Sequence, residues 1–194
     1  MSDRYVMESA VLENEVIEGE VCEVRISAMI TPDEIDSLLD MAGTTGLLGS
    51  DELIAAEDMA WGCAYQGEEA ACRFIQARIN TPDGEKPIGF LCFAELPNWE
   101  RNFELFCIVV APDYQRLGIG SALIAEMERI AMEWGGKRIF LETGEGRQFE
   151  KSRLFYEANG FAVESHFYKQ FIPKDDGVIY CRTLEPAEDS QSYQ

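Results

Sequence analysis

Hydrophobic and polar positions along the chain repeat with two periods, one typical of strands and the other of helices. Residues 21–27 alternate and predict the first strand. Thr31 followed by Pro32 and two acidic residues is a typical helix start. The apolar residues after it lie at helical spacings, so a helix is predicted that ends at Gly43. A second helix is predicted from Ser50, where an acidic first turn follows.

Apolar runs with strand character continue through the rest of the chain. In chain order, the predicted strands are 21–27, 73–79, 88–94, 103–110, 138–143, 161–168 and 178–184. The turn-rich segment 80–86 joins the second and third of these strands, which predicts a hairpin.

The clearest helical pattern follows the fourth predicted strand. Apolar residues recur there at spacings of three and four and form one stripe along Ile119, Leu123, Met127, Ile130, Ala131 and Trp134. Gly135-Gly136 is expected to end this helix. A strand, a helix and a strand of these lengths predict a right-handed crossover and a parallel pair of strands. A shorter helix is predicted at 150–158.

Length and composition are those of one globular domain. The chain has 194 residues, of which 46% are hydrophobic and 27% charged. Residues 21–184 are predicted to form this domain. Residues 1–20 carry six acidic residues and form either an acidic arm or an edge strand, and 185–194 are expected to be a disordered acidic tail.

No apolar run approaches the roughly 20 residues of a membrane span, and the N-terminus lacks a secretory pattern. A cytoplasmic protein is therefore expected.

The formal net charge of -20 limits the classes of partner. It argues against binding to nucleic acid and against docking on anionic lipid, because both need a basic surface. A cationic acceptor would be attracted by such a surface. Plain solubility explains the charge equally well.

Cysteine and histidine give little indication of a metal site. The cysteines are scattered without a C-x-x-C pair, at Cys22, Cys63, Cys72, Cys92, Cys107 and Cys181. With a single histidine in the chain, no metal site is predicted. We expect the cysteines to be small core residues and, in the cytoplasm, to form no disulfides.

The fourth predicted strand leads into a turn with the pattern Gln-x-x-Gly-x-Gly at residues 115–120. A turn of this kind places unpaired backbone amides at the positive end of a helix, where an anion such as a phosphate binds well. Two alternatives remain on the glycines alone. One is a turn without a ligand, and the other is a nucleotide-binding domain that uses Gly118, Gly120 and Glu142.

A second motif separates these interpretations. It is the run Arg153-Leu154-Phe155-Tyr156-Glu157-Ala158-Asn159-Gly160-Phe161. This run is similar to the "FYEK-x-GF" signature of the GCN5-related N-acetyltransferases, the GNAT superfamily. The turn motif resembles the coenzyme-A loop of the same superfamily, and the resemblance covers roughly residues 20–184. It implies an α/β (α+β) fold with a mixed twisted sheet of six to seven strands and helices on both faces. The fourth and fifth strands would splay apart around the cofactor.

The resemblance implies an acetyl-CoA-dependent N-acetyltransferase that transfers the acetyl group directly to a primary amine in a ternary complex, without a metal. The alternative is a non-catalytic acyl-CoA-binding regulatory module. A monomer or a homodimer is expected. The residues implied to contact acetyl-CoA are Ile108, Val109, Val110, Gln115, Arg116, Leu117, Gly118, Ile119, Gly120, Ser121 and Phe155.

Two residues are implied to act in catalysis. Tyr156 is the candidate proton donor to the leaving sulfur, and Glu104 is the candidate base, with Glu142 as its substitute. Strand alternation predicts that Glu104, Phe106 and Ile108 share one face. Many relatives have Asn seven residues before the motif tyrosine. This chain has Phe149 there, which removes one expected hydrogen bond to the cofactor.

The remaining polar and aromatic candidates are predicted to have structural roles. His166, the only histidine, is expected to be a packed or rim residue. Trp61, Trp99 and Trp134 are expected to line the core or the acceptor pocket.

Overall fold

A computed structural model describes residues 10–17, 20–46, 48–82, 84–97, 101–167 and 176–184. The described residues form eight strands, β1 Ala10–Ile17, β2 Glu20–Ser27, β3 Cys72–Thr81, β4 Gly84–Glu95, β5 Asn102–Val110, β6 Arg138–Gly144, β7 Ala162–Phe167 and β8 Gly177–Thr183. They also form four α-helices, α1 Ile35–Thr45, α2 Ser50–Gln66, α3 Ile119–Glu133 and α4 Glu150–Ala158. The tail 185–194 and Trp99 lie outside the described residues.

All eight strands belong to one mixed sheet in the order β1-β2-β3-β4-β5-β6-β8-β7. Strands β5 and β6 are parallel, and the other neighbouring pairs are antiparallel. The predicted α/β fold class is confirmed. The sheet has one strand more than the six to seven expected because residues 10–17 form β1, which is the edge-strand alternative for the acidic N-terminal segment.

Helices cover both faces of the sheet, as predicted. On one face, α1 and α2 bury small and apolar side chains against β3, β4 and β5. On the other, α3 buries Ile119, Leu123, Met127, Ile130 and Ala131 in the larger core. These are five of the six residues of the predicted stripe. Trp134 follows the end of α3, stays 43% exposed, and stacks on Phe93.

Strand β5 contains one extra residue. Cys92 pairs with Cys107 but Phe93 pairs with Leu105, so Phe106 has no partner on β4. Such a β-bulge reverses the faces of the residues that follow it. The predicted shared face is therefore wrong: Glu104 faces the α1/α2 side opposite Ala94, whereas Ile108 packs against the α3 core.

The parallel pair separates beyond this bulge. Ladder partners run from Asn102↔Arg138 to Leu105↔Leu141 and end there, although β5 continues to Val110. Residues Cys107 to Val110 still pair with β4, whereas Phe106 does not. The two strands thus splay, as expected, and the β6-facing edge of β5 is open over its last five residues.

Two predicted boundaries are wrong by a few residues. Helix α1 continues past Gly43 to Thr45, because Gly46 is the residue that adopts a left-handed φ of 65° and ends the helix. The hairpin turn is tighter than segment 80–86, since β3 and β4 stay paired out to Thr81↔Gly84. Gly84 has a φ of 120°, which permits the short reversal.

Candidate active site

The turn after β5 has the geometry of an anion cradle. Arg116 and Gly118 both have left-handed backbone conformations, with φ of 68° and 79°. Helix α3 then begins at Ile119 with no side-chain cap among the described residues and no acidic residue in its first turn. The first amides of the helix therefore face outward at its positive end without an internal acceptor.

Gln115 holds this turn against the strand that precedes it. Its Nε2 donates a hydrogen bond of 3.0 Å to the carbonyl oxygen of Val110, the last residue of β5. This contact fixes the turn relative to the open edge of β5. Arg116, the next residue, is exposed and makes no ion pair within the part of the chain that the structure describes.

Gly120 is required by packing. A Cβ built at Gly120 would lie 3.0 Å from two ring carbons of Phe155, on α4. The close contact brings the start of α3 against α4, so the two motifs predicted from the sequence meet here. This packing is a reason for the glycine that the sequence motif does not reveal.

A cavity of about 440 Å³ lies beside the part of β5 and β6 that is still paired. Its walls come from β5, β6, β7 and β8, and its lining includes Glu104, Phe140, Glu142, Glu164 and Ile179. Glu104 lies beside Phe140 in the parallel ladder, and Glu142 lies beside Ile179. Three carboxylates thus converge on a partly apolar cavity.

Burial and charge perturb one of these carboxylates. Glu104 is half-buried, and its pKa is raised, first because burial disfavours the charged form and second because the charge of Glu142 lies nearby. A raised pKa makes the carboxylate a stronger base once it is ionised. Both predicted base candidates therefore line one cavity.

Glu164 was missed in the sequence. It follows Val163 at a register shift in β7, where Val163 pairs with Tyr180 and Ser165 pairs with Ile179. Glu164 lies at this shift and is part of the cavity lining. An irregularity of this kind leaves no mark in the hydrophobic pattern.

Tyr156 is enclosed by aromatic rings on the α3 side of the sheet. Its ring centroid lies 6.1 Å from that of Phe161 and 6.2 Å from that of Tyr180. Burial raises the pKa of the phenol well above its usual range, and the nearby thiol of Cys107 adds to the shift. Cys107 lies on β5 just beyond Leu105, the last residue that pairs with β6. The protonated hydroxyl of Tyr156 therefore lies close to the point where the strands part.

Phe149 occupies the position at which the family resemblance implies Asn. Its ring lies directly over Gly144, the last residue of β6, where any Cβ would collide with it. Arg153 supports the same connection, because its Nη1 donates to the carbonyl oxygens of Gly144 at 2.6 Å and Gly146 at 3.1 Å. The β6–α4 connection is therefore held by packing and by Arg153.

The remaining candidates are near the site or remote from it. His166 is exposed on β7, and its Nδ1 lies 2.5 Å from Oε1 of Glu145. Trp61 packs against the α1/α2 core and stacks on Tyr65 with a centroid distance of 5.6 Å. None of the described helices is long and apolar enough to cross a membrane.

Comparison with known proteins agrees with this geometry. The family model described as "Acetyltransferase (GNAT) family" matches residues 47–161. No match was found among curated proteins.

Solved structures share the fold. A GNAT-family protein from Desulfovibrio desulfuricans is 26% identical, with a TM-score of 0.76 over 84% of this chain and 99% of that chain. The ribosomal-protein-S18-alanine N-acetyltransferase from Escherichia coli is 21% identical, with a TM-score of 0.61 over 88% of this chain and 99% of that one. The PaiA N-acetyltransferase from Thermoplasma acidophilum, in complex with coenzyme A, is 20% identical, with a TM-score of 0.63 over 82% and 98% of the two chains.

The family match covers more than half of the chain, and it spans both the glycine turn and the α4 motif. The chain therefore belongs to the GNAT family of N-acetyltransferases.

Proposed function

We propose that the protein transfers an acetyl group from acetyl-CoA directly to a primary amine, with both substrates bound at once. The observation that carries this proposal is the open edge of β5, which runs from Phe106 to Val110 and leads straight into the uncapped start of α3. The pantetheine arm has amide groups that can pair with such an edge like an added strand.

The diphosphate of the cofactor would be held by the backbone amides of residues 116–121. Helix N-termini favour phosphates because their free amides and the helix dipole both point at the anion. Arg116 would add a positive charge, and no acidic side chain in the first turn of α3 opposes it. The coenzyme A bound to the Thermoplasma relative supports the same type of cofactor.

The amine would enter from the cavity on the α1/α2 side. Its lining has three carboxylates, Glu104, Glu142 and Glu164, and they favour a protonated amine although Arg138 also lines the cavity. Its apolar walls lower the local dielectric. The net charge of -20 would also speed the arrival of a cation.

Two proton transfers complete the proposed reaction. A primary amine with a pKa of about 10.4 is mostly protonated at neutral pH, so it must lose a proton before it attacks the thioester carbonyl. Glu104 is proposed to take this proton, directly or through water, with Glu142 as the substitute. Tyr156 is proposed to donate its proton to the departing sulfur, and the raised pKa of its phenol supports a donor that is fully protonated at neutral pH.

Positioning supplies much of the expected rate. Holding the thioester beside the amine converts a bimolecular encounter into a step within one complex, and this can lower the barrier by several kcal/mol. The residues of the turn need no side-chain chemistry for that purpose.

An acceptor-dependent assay tests the proposal. Purified protein is mixed with acetyl-CoA and a panel of amines and N-terminal peptides, and free thiol and N-acetylated product are both measured. We expect product with at least one amine, and initial-rate lines that intersect when both substrates are varied, as a ternary complex requires. Tight binding of acetyl-CoA without product from any acceptor would favour the regulatory module, and absence of binding would refute both.

A further inference from the structure

A cluster of sulfur atoms lies in the α1/α2 core. Cys63 Sγ, on α2, lies 3.0 Å from Cys72 Sγ, the first residue of β3. The next sulfurs are farther apart, with Cys92 Sγ 3.6 Å from Met59 Sδ. The four residues join α2 to β3 and β4, and no part of the proposed acetyl transfer uses them.

We propose that Cys63 and Cys72 form an oxidation site at which a small peroxide produces an intramolecular disulfide. A disulfide needs sulfur atoms about 2.05 Å apart, so the two must approach by about 1 Å from their present 3.0 Å. Both residues lie at the ends of elements, where the backbone adjusts most readily: Cys63 in the last turn of α2 and Cys72 at the start of β3.

The contacts of the pair prepare it for this chemistry. Either sulfur can donate in the hydrogen bond between the two thiols. With Cys63 as the donor, this bond lowers the pKa of the Cys72 thiol, and the contact with Cys92 and the charge of Arg73 lower it further. In that arrangement Cys72 is the nucleophile, and Cys63 is the thiol that resolves it.

The reaction has two steps that balance without a further reagent. The Cys72 thiolate attacks one oxygen of hydrogen peroxide, so that the O–O bond breaks, a sulfenic acid forms and hydroxide leaves. Cys63 sulfur then attacks the Cys72 sulfur, the S–O bond breaks, and water leaves with the thiol proton. In total two thiols and one peroxide give one disulfide and two waters.

Cys92 is a poorer partner than Cys63. It is fully buried in the interior of β4, and burial raises its pKa well above the usual range, so it forms little thiolate. Cys63 and Cys72 retain 7% and 8% of their surface, whereas Cys92 retains none.

Peptide mapping of the full chain tests the proposal. No Lys or Arg lies between Ile26 and Arg73, so trypsin leaves both cysteines in one peptide, 26–73, whereas Cys92 falls in 79–101. After peroxide treatment and alkylation, we expect peptide 26–73 two hydrogen masses lighter, without alkyl groups, and restored by a thiol reductant. The disulfide should also raise the melting temperature by several degrees, because it closes a loop of about ten residues in the unfolded chain.

Variants add an independent measurement. Cys63→Ser should leave a sulfenic acid on Cys72 that a sulfenic-specific reagent labels, and Cys181→Ser, on β8, should behave like the parent. Two fully alkylated cysteines in peptide 26–73 after peroxide would overturn the proposal, as would a disulfide between that peptide and 79–101. The peptide masses from the parent protein decide the question even if a variant does not fold.

Discussion

The contact between Gly120 and Phe155 makes a quantitative prediction about the cofactor loop. In Gly120→Ala, the new Cβ would lie 3.0 Å from two ring carbons of Phe155. Carbon atoms pack best at about 3.5–4.0 Å, so the ring or the start of α3 must move by a few tenths of an ångström. Overpacking of this kind costs about 1–3 kcal/mol. Replacing glycine by alanine in a helix recovers at most about 1 kcal/mol.

We therefore expect Gly120→Ala to lower the free energy of unfolding by about 1 kcal/mol, measured by urea denaturation. Phe155→Leu removes the ring, so Gly120→Ala made in that background should no longer destabilise the protein. The coupling energy of this double-mutant cycle should be about 1–3 kcal/mol. Calorimetry should show weaker coenzyme A binding to Gly120→Ala, with partial recovery in the double variant.

Gly62→Ala is the matched control. Gly62 lies in α2, and a Cβ there meets nothing within 4 Å. This substitution should stabilise the protein by up to about 1 kcal/mol and leave coenzyme A binding unchanged. The reasoning is refuted if Gly120→Ala stabilises the protein as much as Gly62→Ala does, or if its effect is the same with and without the Phe155 ring.

Three further substitutions test the proposed chemistry. Tyr156→Phe should reduce kcat by roughly 10²–10⁴-fold with little change in the KM for acetyl-CoA. Tyr65→Phe, on the exposed face of α2, is the control and should change neither constant. An equal loss of kcat in the two variants would exclude a donor role for Tyr156. In the parent protein kcat/KM should rise as the pH passes the raised pKa of Glu104, and Glu104→Gln should abolish this rise. The same substitution should raise the melting temperature at neutral pH but not below pH ~4. The melting temperature should rise because a carboxyl with a raised pKa favours the fold only while it is protonated. An unchanged pH profile of kcat/KM would exclude Glu104 as the base. Arg116→Ala and Arg116→Gly should both weaken coenzyme A binding. Only the glycine variant should gain stability, by about 1–2 kcal/mol, because φ at residue 116 is 68°. Equal melting temperatures of the two variants would contradict this.

The sequence predicted the fold well where the hydrophobic period is long. The stripe along α3 and the helix at 150–158 match the structure because many residues repeat one signal. The end of α1 was predicted less well, because Gly43 and Gly46 are both plausible stop residues in sequence, and only the structure shows which adopts a positive φ.

The candidate site was predicted less completely than the fold. The glycine turn and α4 motif were found because their spacing is specific. The bulge at Phe106 was not, because one extra apolar residue in a continuous apolar strand leaves the composition unchanged. That bulge decides the face of every later residue on β5, so the predicted grouping of Glu104 with Ile108 failed. Glu164 was missed because the sequence does not show that β7 borders the cavity.

The splay of β5 from β6 also has a consequence for the protein without its cofactor. A strand edge with unpaired amides and carbonyls invites a strand from another molecule, and proteins usually protect such edges at the rim of a sheet. Here the edge lies in the middle of the sheet, along Phe106 to Val110. A bound pantetheine arm would act as its protective cover, so cofactor supply would guard the folded chain against self-association as well as support turnover.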